Sequence, residues 1–236
     1  MKRYQFMKFV FLILGFTCVV GPKGIVGQDA KAAPPAMAPF EQYLISDRNA
    51  EITLARSAAP ESISRDAEIY VLAPGGFEVA VKGKNGFACV VDRSWMLPFD
   101  DPEFWDPAVR LPTCLNAPAA RFHLALSSKT TALVLARLSK TQISDGIKIA
   151  FDKNQLPLPE SGSMCYMMSK QQNFGPKIGN GNDSHLMFWF PQKDHMSWGA
   201  ELPDAPVDVH QYSPQPITEF VISVSKWSDG TPVNAH

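Results

Sequence analysis

Three short runs of strand-forming residues, separated by turn signals, do most to constrain how this chain can fold. They lie within residues 67–92 and read AEIYVLA, FEVAVKG and FACVVD, with PGG and KNG between them. Val, Ile and aromatic residues favour strands, and Asn-Gly is a strong hairpin signal. Strands joined by such short turns pair antiparallel, so the segment predicts a three-stranded meander. Its third strand is apolar on both faces, which predicts a central, covered position.

Helical patterns lie on either side of this segment. Residues 41–58 are rich in helix-forming residues, with Ser46 as a candidate N-cap. A second helix is predicted over 117–138. Ser139 and Gln142 then form a capping box, and an apolar stripe at helical spacing follows it, which predicts a third helix.

Further strands are predicted at 163–169, 185–190 and 216–227, where β-branched, aromatic and sulfur-containing residues are concentrated. The order of helices and strands indicates an α+β fold, an antiparallel sheet of about six strands packed with two or three helices. Residues 40–236 are enough for a single domain with a sizeable core.

The start of the chain has the pattern of a secretory signal peptide. Residues 1–27 combine a basic beginning, an apolar run over 9–20 and a small-residue exit. The run is shorter than the about 20 apolar residues that a membrane helix needs. We therefore expect an exported protein, periplasmic or extracellular, with a flexible Ala- and Pro-rich leader over 28–39.

Charge excludes two classes of partner. Loss of residues 1–27 takes the formal net charge from −1 to −5, because that segment holds four basic and no acidic residues. Nucleic acids and anionic membrane surfaces require clustered basic residues, which the remaining chain lacks. Neither is expected as a partner, and no stable membrane insertion is expected after cleavage. An envelope component or a small amphipathic ligand fits better, and no cofactor is predicted.

Three cysteines remain after residue 27, at Cys89, Cys114 and Cys165. In an oxidising compartment this number allows one intramolecular disulfide at most. Cys89 and Cys114 are the favoured pair, since one lies in an apolar strand and the other in a proline-rich loop 25 residues later. The alternative is that all three are buried free thiols.

Cys165 and His185 form a candidate catalytic pair. If the strands that carry them are adjacent and antiparallel, the thiol and the imidazole could come within hydrogen-bond reach, as nucleophilic catalysis requires. Cys165 also lies among Met164, Tyr166 and Met167, a setting typical of a protein core. A buried structural cysteine is therefore the favoured interpretation.

Three late histidines form a candidate metal site. His185, His195 and His210 lie near three aspartates, and zinc needs three or four such ligands to converge. None of these residues has the short spacing that marks a zinc motif. Solvated or capping histidines are favoured, and no bound metal is expected.

Tryptophans are the candidate ligand-binding residues. Trp189 and Trp198 belong to a late aromatic cluster, and Trp105 lies in the long proline-rich loop 96–118. Exposed aromatic patches and long loops often mark binding sites. The alternatives are that Trp189 belongs to the core and that Trp105 pins its loop to the surface. The Gly- and Asn-rich loop 175–184 is a further candidate.

Four motifs in the second half of the chain support a resemblance: SGSMCYMMSKQQ, HLMFWFP, SWGAELPDAPV and KWSDGT. With them, the chain from Arg48 to Pro232 resembles a group of uncharacterised secreted bacterial proteins. The resemblance implies no activity, ligand or catalytic residue.

The sequence therefore favours an exported, non-catalytic domain that binds a ligand or an envelope component through its loops and late aromatic residues. One alternative is a secreted hydrolase that uses Cys165 and His185 or a metal centred on His185. The other is a structural or accessory protein of the cell envelope.

Signal cleavage should leave an exported protein that begins between Gly27 and Ala33, because the small-residue exit and the Ala30-Lys31-Ala32 triplet lie there. Mass spectrometry of the extracytoplasmic fraction measures the new N-terminus. Exported protein that still carries Met1 would contradict this interpretation.

Overall fold

The computed structural model describes residues 36–176, 184–192, 198–200 and 202–233. The predicted signal peptide, the leader up to residue 35, His195 and most of the loop 175–184 lie outside the described residues. Within the described ranges, no helix is long and apolar enough to cross a membrane.

The described residues form one mixed sheet and four α-helices, so the predicted α+β class is confirmed. The order across the sheet is β2-β1-β3-β4-β5-β6-β8-β7. The helices are α1 (Arg48–Arg56), α2 (Glu61–Ser64), α3 (Ala117–Leu135) and α4 (Lys140–Asp152). The strands are β1 (Glu68–Ala73), β2 (Gly76–Val81), β3 (Ala88–Asp92), β4 (Leu111–Leu115), β5 (Met164–Met167), β6 (His185–Pro191), β7 (Val207–His210) and β8 (Ile217–Ser223).

The sheet has eight strands instead of about six, and β4 and β7 are the strands that the sequence does not predict. β4 contains Pro112, which argues against a central strand because proline cannot donate to a ladder. The β4–β5 ladder covers only Cys114 and Leu115, so Pro112 lies beyond it.

The predicted meander is wrong in its third strand. β1 and β2 form an antiparallel hairpin, whereas β3 pairs with β1 in parallel. The chain crosses the start of β1, and Gly83 permits this because a Cβ there would lie 2.2 Å from the backbone nitrogen of Glu68. The Asn85 side chain donates to the carbonyl of Ile63 and accepts from the amide of Phe87, so Asn85 shapes the crossing segment and not a hairpin turn.

The disulfide predicted between Cys89 and Cys114 is confirmed. The two residues face each other across the antiparallel β3–β4 pair, with Cα atoms 4.0 Å apart. They are 25 residues apart in the chain, and closing such a loop is worth about 3 kcal/mol on the chain-entropy model. Cys165 is the free cysteine of the described residues.

Helix boundaries follow the local capping chemistry. The helix predicted over 41–58 is interrupted, because Leu44 is extended and separates a 3₁₀ turn from α1. The side chain of Asp47, not that of Ser46, caps α1 by accepting from the amide of Asn49 at 2.8 Å. The predicted capping box at the start of α4 is confirmed.

Helices cover both faces of the sheet at β3. Ala55 of α1 belongs to one apolar cluster with Cys89 and Val91. Leu126 of α3 belongs to a second cluster with Val90. Because side chains alternate along a strand, the two clusters lie on opposite faces.

Two consecutive charged residues at the end of β3 tie these helices to the sheet. On the α1 side, the Nη2 of Arg93 lies 2.7 Å from the Oε1 of Glu51, and both side chains are buried. On the α3 side, Asp92 lies 2.7 Å from His123 Nε2 and accepts a hydrogen bond from Ser127 at 2.7 Å. Burial lowers the pKa of Arg93, and the charge and hydrogen bond of Glu51 oppose that shift.

Glu51→Ala should lower the free energy of unfolding by about 3–5 kcal/mol, because it leaves the buried Arg93 charge unpaired. It also removes the acceptor of the Leu72 amide. Denaturant unfolding followed by circular dichroism measures the change. Glu160→Ala is the matched control, since its ion pair with Arg121 is exposed to solvent and should contribute little. Equal effects of the two substitutions would contradict the role given to the buried pair.

Candidate binding site

A cavity of about 690 Å³, here called the chamber, lies between α3 and the sheet. Its volume is in the range of small-molecule sites. α3 contributes Phe122, His123 and Leu126 to its wall. The sheet side is lined by residues of β3, β4, β5, β6, β8 and β7, in their order across the sheet.

β6 and β8 form the floor of the chamber. His185, Met187 and Trp189 of β6 face it, and their register partners on β8 are Ser223, Val221 and Glu219 respectively. Residues two apart on a strand share a face, which explains why alternate residues of HLMFWF reach the chamber. Trp189 is thus buried on the helix-covered face, as the core alternative expected, and it also lines a cavity.

The long loop 96–118 has two different parts. Met96, Leu97, Pro98 and Asp101 line the chamber. Trp105 is buried, packs edge-on against the preceding Phe with ring centroids 4.8 Å apart, and its carbonyl accepts a hydrogen bond from a buried tyrosine. Trp105 therefore anchors the loop and does not line the chamber.

Glu219 is the centre of a polar group at one end of the chamber. Its Oε2 accepts a hydrogen bond of 2.6 Å from the indole nitrogen of Trp189. On its other side, His210 of β7 is its register partner. The His210 ring is stacked on Tyr212, with centroids 5.3 Å apart and planes at 11°. Two of the sequence candidates, Trp189 and His210, thus meet around a residue that the sequence did not indicate.

A second polar group lies deeper, where Asp92 holds the ring of His123. The imidazole lines the chamber, and the ring of Trp189 lies 5.4 Å from it. Ser127 donates to the other oxygen of Asp92, so both carboxylate oxygens have partners. An imidazole oriented by a carboxylate can exchange a proton with a bound group.

Acidic side chains supply the charge of the chamber. Asp92, Asp101, Asp208 and Glu219 line it, and none of its described lining residues is Lys or Arg. The pKa of Tyr212 is raised, chiefly by burial and further by the negative charges of Glu219 and Asp101. Among the described lining residues, the formally charged side chains other than histidine are therefore all acidic.

Cys165 and His185 lie on the same face of neighbouring strands but are not directly opposite. Cys165 pairs with Met187 and His185 with Met167, so the two candidates are diagonal neighbours, about 7–8 Å apart at Cα. The Cys165 thiol is fully buried and does not line the chamber. Burial raises its pKa well above the usual value, with a further contribution from Glu219. Its environment thus favours the protonated thiol.

The histidines of the candidate metal site do not converge within the described residues. His185 is the register partner of Ser223 and His210 that of Glu219, four residues along β8, which separates them by about 14 Å along the strand direction. His195 lies outside the described residues. In the part of the chain that the structure describes, no group of three His, Cys, Asp or Glu side chains could hold a metal ion.

Trp198 lies on the opposite face of the sheet from the chamber. Its ring is stacked on Phe220 with centroids 4.2 Å apart, and 46% of the residue is exposed. The three tryptophan candidates therefore occupy three separate places: Trp189 the chamber, Trp198 the outer face and Trp105 the anchored loop.

The sequence patterns did not single out Asp92, His123, Glu219 or Tyr212. Two features of the sequence could have indicated the pair Asp92 and His123. Asp92 ends a strand that is otherwise apolar, and His123 and Ser127 are polar residues four apart on the buried stripe of α3. Such polar residues at core positions indicate a buried hydrogen-bonded group.

Comparison of this chain with protein-family models, curated proteins and solved structures gave no match. The resemblance to secreted bacterial proteins stays a prediction.

Cys165 should resist alkylation by iodoacetamide in the folded protein at neutral pH, because its thiol is buried and its pKa is raised. In denaturant without reductant it should react fully, while Cys89 and Cys114 should react only after reduction. Peptide mapping by mass spectrometry locates the label. Rapid labelling of Cys165 in the folded protein would contradict a structural role and support a nucleophile.

Proposed function

We propose that this protein is an exported binding protein that holds a small amphipathic molecule in the chamber. The observation that carries the proposal is the chamber itself, about 690 Å³ between α3 and the sheet. Close-packed protein interiors leave few voids larger than a water molecule. A space of this size, with an apolar middle and a few polar groups around it, is typical of a ligand site.

The distribution of polar groups supports an amphipathic occupant. Met187 and Val221 form the middle of the floor, and Leu126 lies on the helix side. Glu219 and His123 provide polar contacts away from these apolar surfaces. A molecule with an apolar body and one polar head group would match this arrangement.

Export is part of the proposal. The confirmed disulfide supports it, because such bonds persist in oxidising compartments and are rare in the cytosol. The molecule bound would then come from the envelope or from outside the cell.

A secreted hydrolase is the second candidate. The position of His123, oriented by Asp92 on the chamber wall, favours this imidazole as the acid–base group ahead of the buried Cys165 thiol. Turnover of a bound ester that is lost in His123→Gln would promote this candidate over simple binding.

Filling the chamber should abolish binding. Val221 lies on its floor and is only half-buried, so Val221→Trp can place an indole in the space. We expect the wild-type protein to bind the uncharged fluorophore N-phenyl-1-naphthylamine at a ratio near one, since its fluorescence rises in apolar surroundings. The variant should bind it at least about tenfold more weakly, because burial of the apolar rings is lost. Fluorescence titration measures both affinities.

Two control variants locate the site. Val79→Trp adds the same side chain on exposed β2, away from the chamber, and should bind as wild type does. Trp198→Ala removes the exposed ring of the outer face and should also leave binding unchanged. Binding that survives Val221→Trp but is lost in Trp198→Ala would contradict the proposal, provided that circular dichroism shows each variant folded.

A further inference from the structure

We infer that the chamber selects a cationic amphiphile, an organic ammonium group joined to an apolar body. This inference rests on the proposed function and deepens it, because it names the class of ligand. It is carried by the position of the carboxylates in the chamber relative to its aromatic rings.

Among the described residues that line the chamber, three histidines but no Lys or Arg accompany the carboxylates. Asp101, Asp208 and Glu219 line it. Among the described residues, no Lys or Arg forms an ion pair with any of the three. Asp92 differs, because His123 and Ser127 already engage both of its oxygens.

Lys140 lies close to Asp101, but its ammonium group is directed toward other partners. Lys140 donates to the backbone carbonyl of Asp101 at 3.3 Å, and its ammonium group lies 5.2 Å from the ring centroid of Phe104. Lys140 is not among the residues that line the chamber. It therefore leaves the carboxylates of the chamber available to a ligand.

Glu219 is the carboxylate best placed to meet a ligand head group. It is half-buried on the chamber wall, where water competes less with a bound cation than at the surface. Its hydrogen bond from Trp189 occupies one oxygen, and a carboxylate has about four acceptor sites. A cation bound beside Glu219 would offset the cost of keeping this charge partly buried.

Tyr212 reports the potential at this end of the chamber. After burial, the charges that raise its pKa are those of Glu219, Asp101 and Asp100, which come from β8 and from the loop before β4. Carboxylates from two separate elements therefore raise the pKa of the same Tyr212 hydroxyl. A field that disfavours phenolate there favours an ammonium ion.

Aromatic rings also favour a cationic ligand in the chamber. Trp189 and Tyr212 both line the chamber; Trp189 donates its indole N–H to Glu219, and Tyr212 stacks on His210, the register partner of Glu219. The face of an aromatic ring attracts a cation within about 6 Å. An ammonium group needs no hydrogen-bond donor from the protein, whereas an anionic head group would need one and would face the carboxylates.

Three probes with one apolar body test the inference. They are 4-phenylbutyltrimethylammonium, 4-phenylbutan-1-ol and 5-phenylpentanoate, each titrated against N-phenyl-1-naphthylamine bound to the full chain. We expect the ammonium probe to bind about tenfold more tightly than the alcohol, a difference of the size that a cation–π contact and a partly buried ion pair provide. The carboxylate probe should be the weakest of the three.

Glu219→Gln removes the charge and keeps an acceptor for Trp189. It should bring the affinities of the ammonium probe and the alcohol within about threefold of each other, while the alcohol binds as before. Glu61→Gln is the matched control, because Glu61 is exposed outside the chamber and its loss should preserve the preference. If Glu219→Gln does not fold, Asp101→Asn makes the same test from the loop side and should reduce the preference.

The two proposals fail in different ways. Equal binding of all three probes, or tighter binding of the carboxylate, would overturn the inferred ligand class and leave the binding function standing. If the fluorophore binds Val221→Trp as tightly as the wild-type protein, and none of the three probes binds, both the binding function and the ligand class would be overturned.

Discussion

Two adjacent buried charges at the end of β3 hold a helix against each face of the sheet. Arg93 reaches Glu51 of α1, and Asp92 reaches His123 and Ser127 of α3. These contacts place α3 over β3, β4 and β5, and the helix also packs against β2. Farther along the same face, where Trp189 of β6 meets Phe122 and His123 of α3, β6 and β8 form the floor of the chamber. The same contacts that stabilise the core therefore also fix the helix side of the chamber.

The features that sequence predicted well depend on local chemistry. The capping box of α4 needs only Ser139 and Gln142, and the pairing of Cys89 with Cys114 followed from the count and setting of the cysteines. The crossing from β2 to β3 could not be predicted in this way. It depends on how closely Gly83 approaches Glu68, two residues that meet only once the sheet has formed.

The candidate site was predicted in pieces. Trp189 and His210 were both singled out, but for different sites, one as an aromatic ligand contact and the other as a metal ligand. Their meeting at Glu219 depends on the registers of β6 with β8 and of β7 with β8, which sequence patterns do not specify. β7 itself was not predicted, so nothing in the sequence indicated that Glu219 of β8 lies between His210 and Trp189.

We propose the space beside α3 as a ligand site. A crystal of the protein soaked with 4-(4-bromophenyl)butyltrimethylammonium tests it most directly, because the anomalous signal of bromine locates the apolar end of the probe. We expect one bromine position in the chamber, near Met187 and Val221, with the ammonium group toward Glu219. A bromine position on the outer face, beside Trp198 and Phe220, with the chamber free of probe, would contradict it.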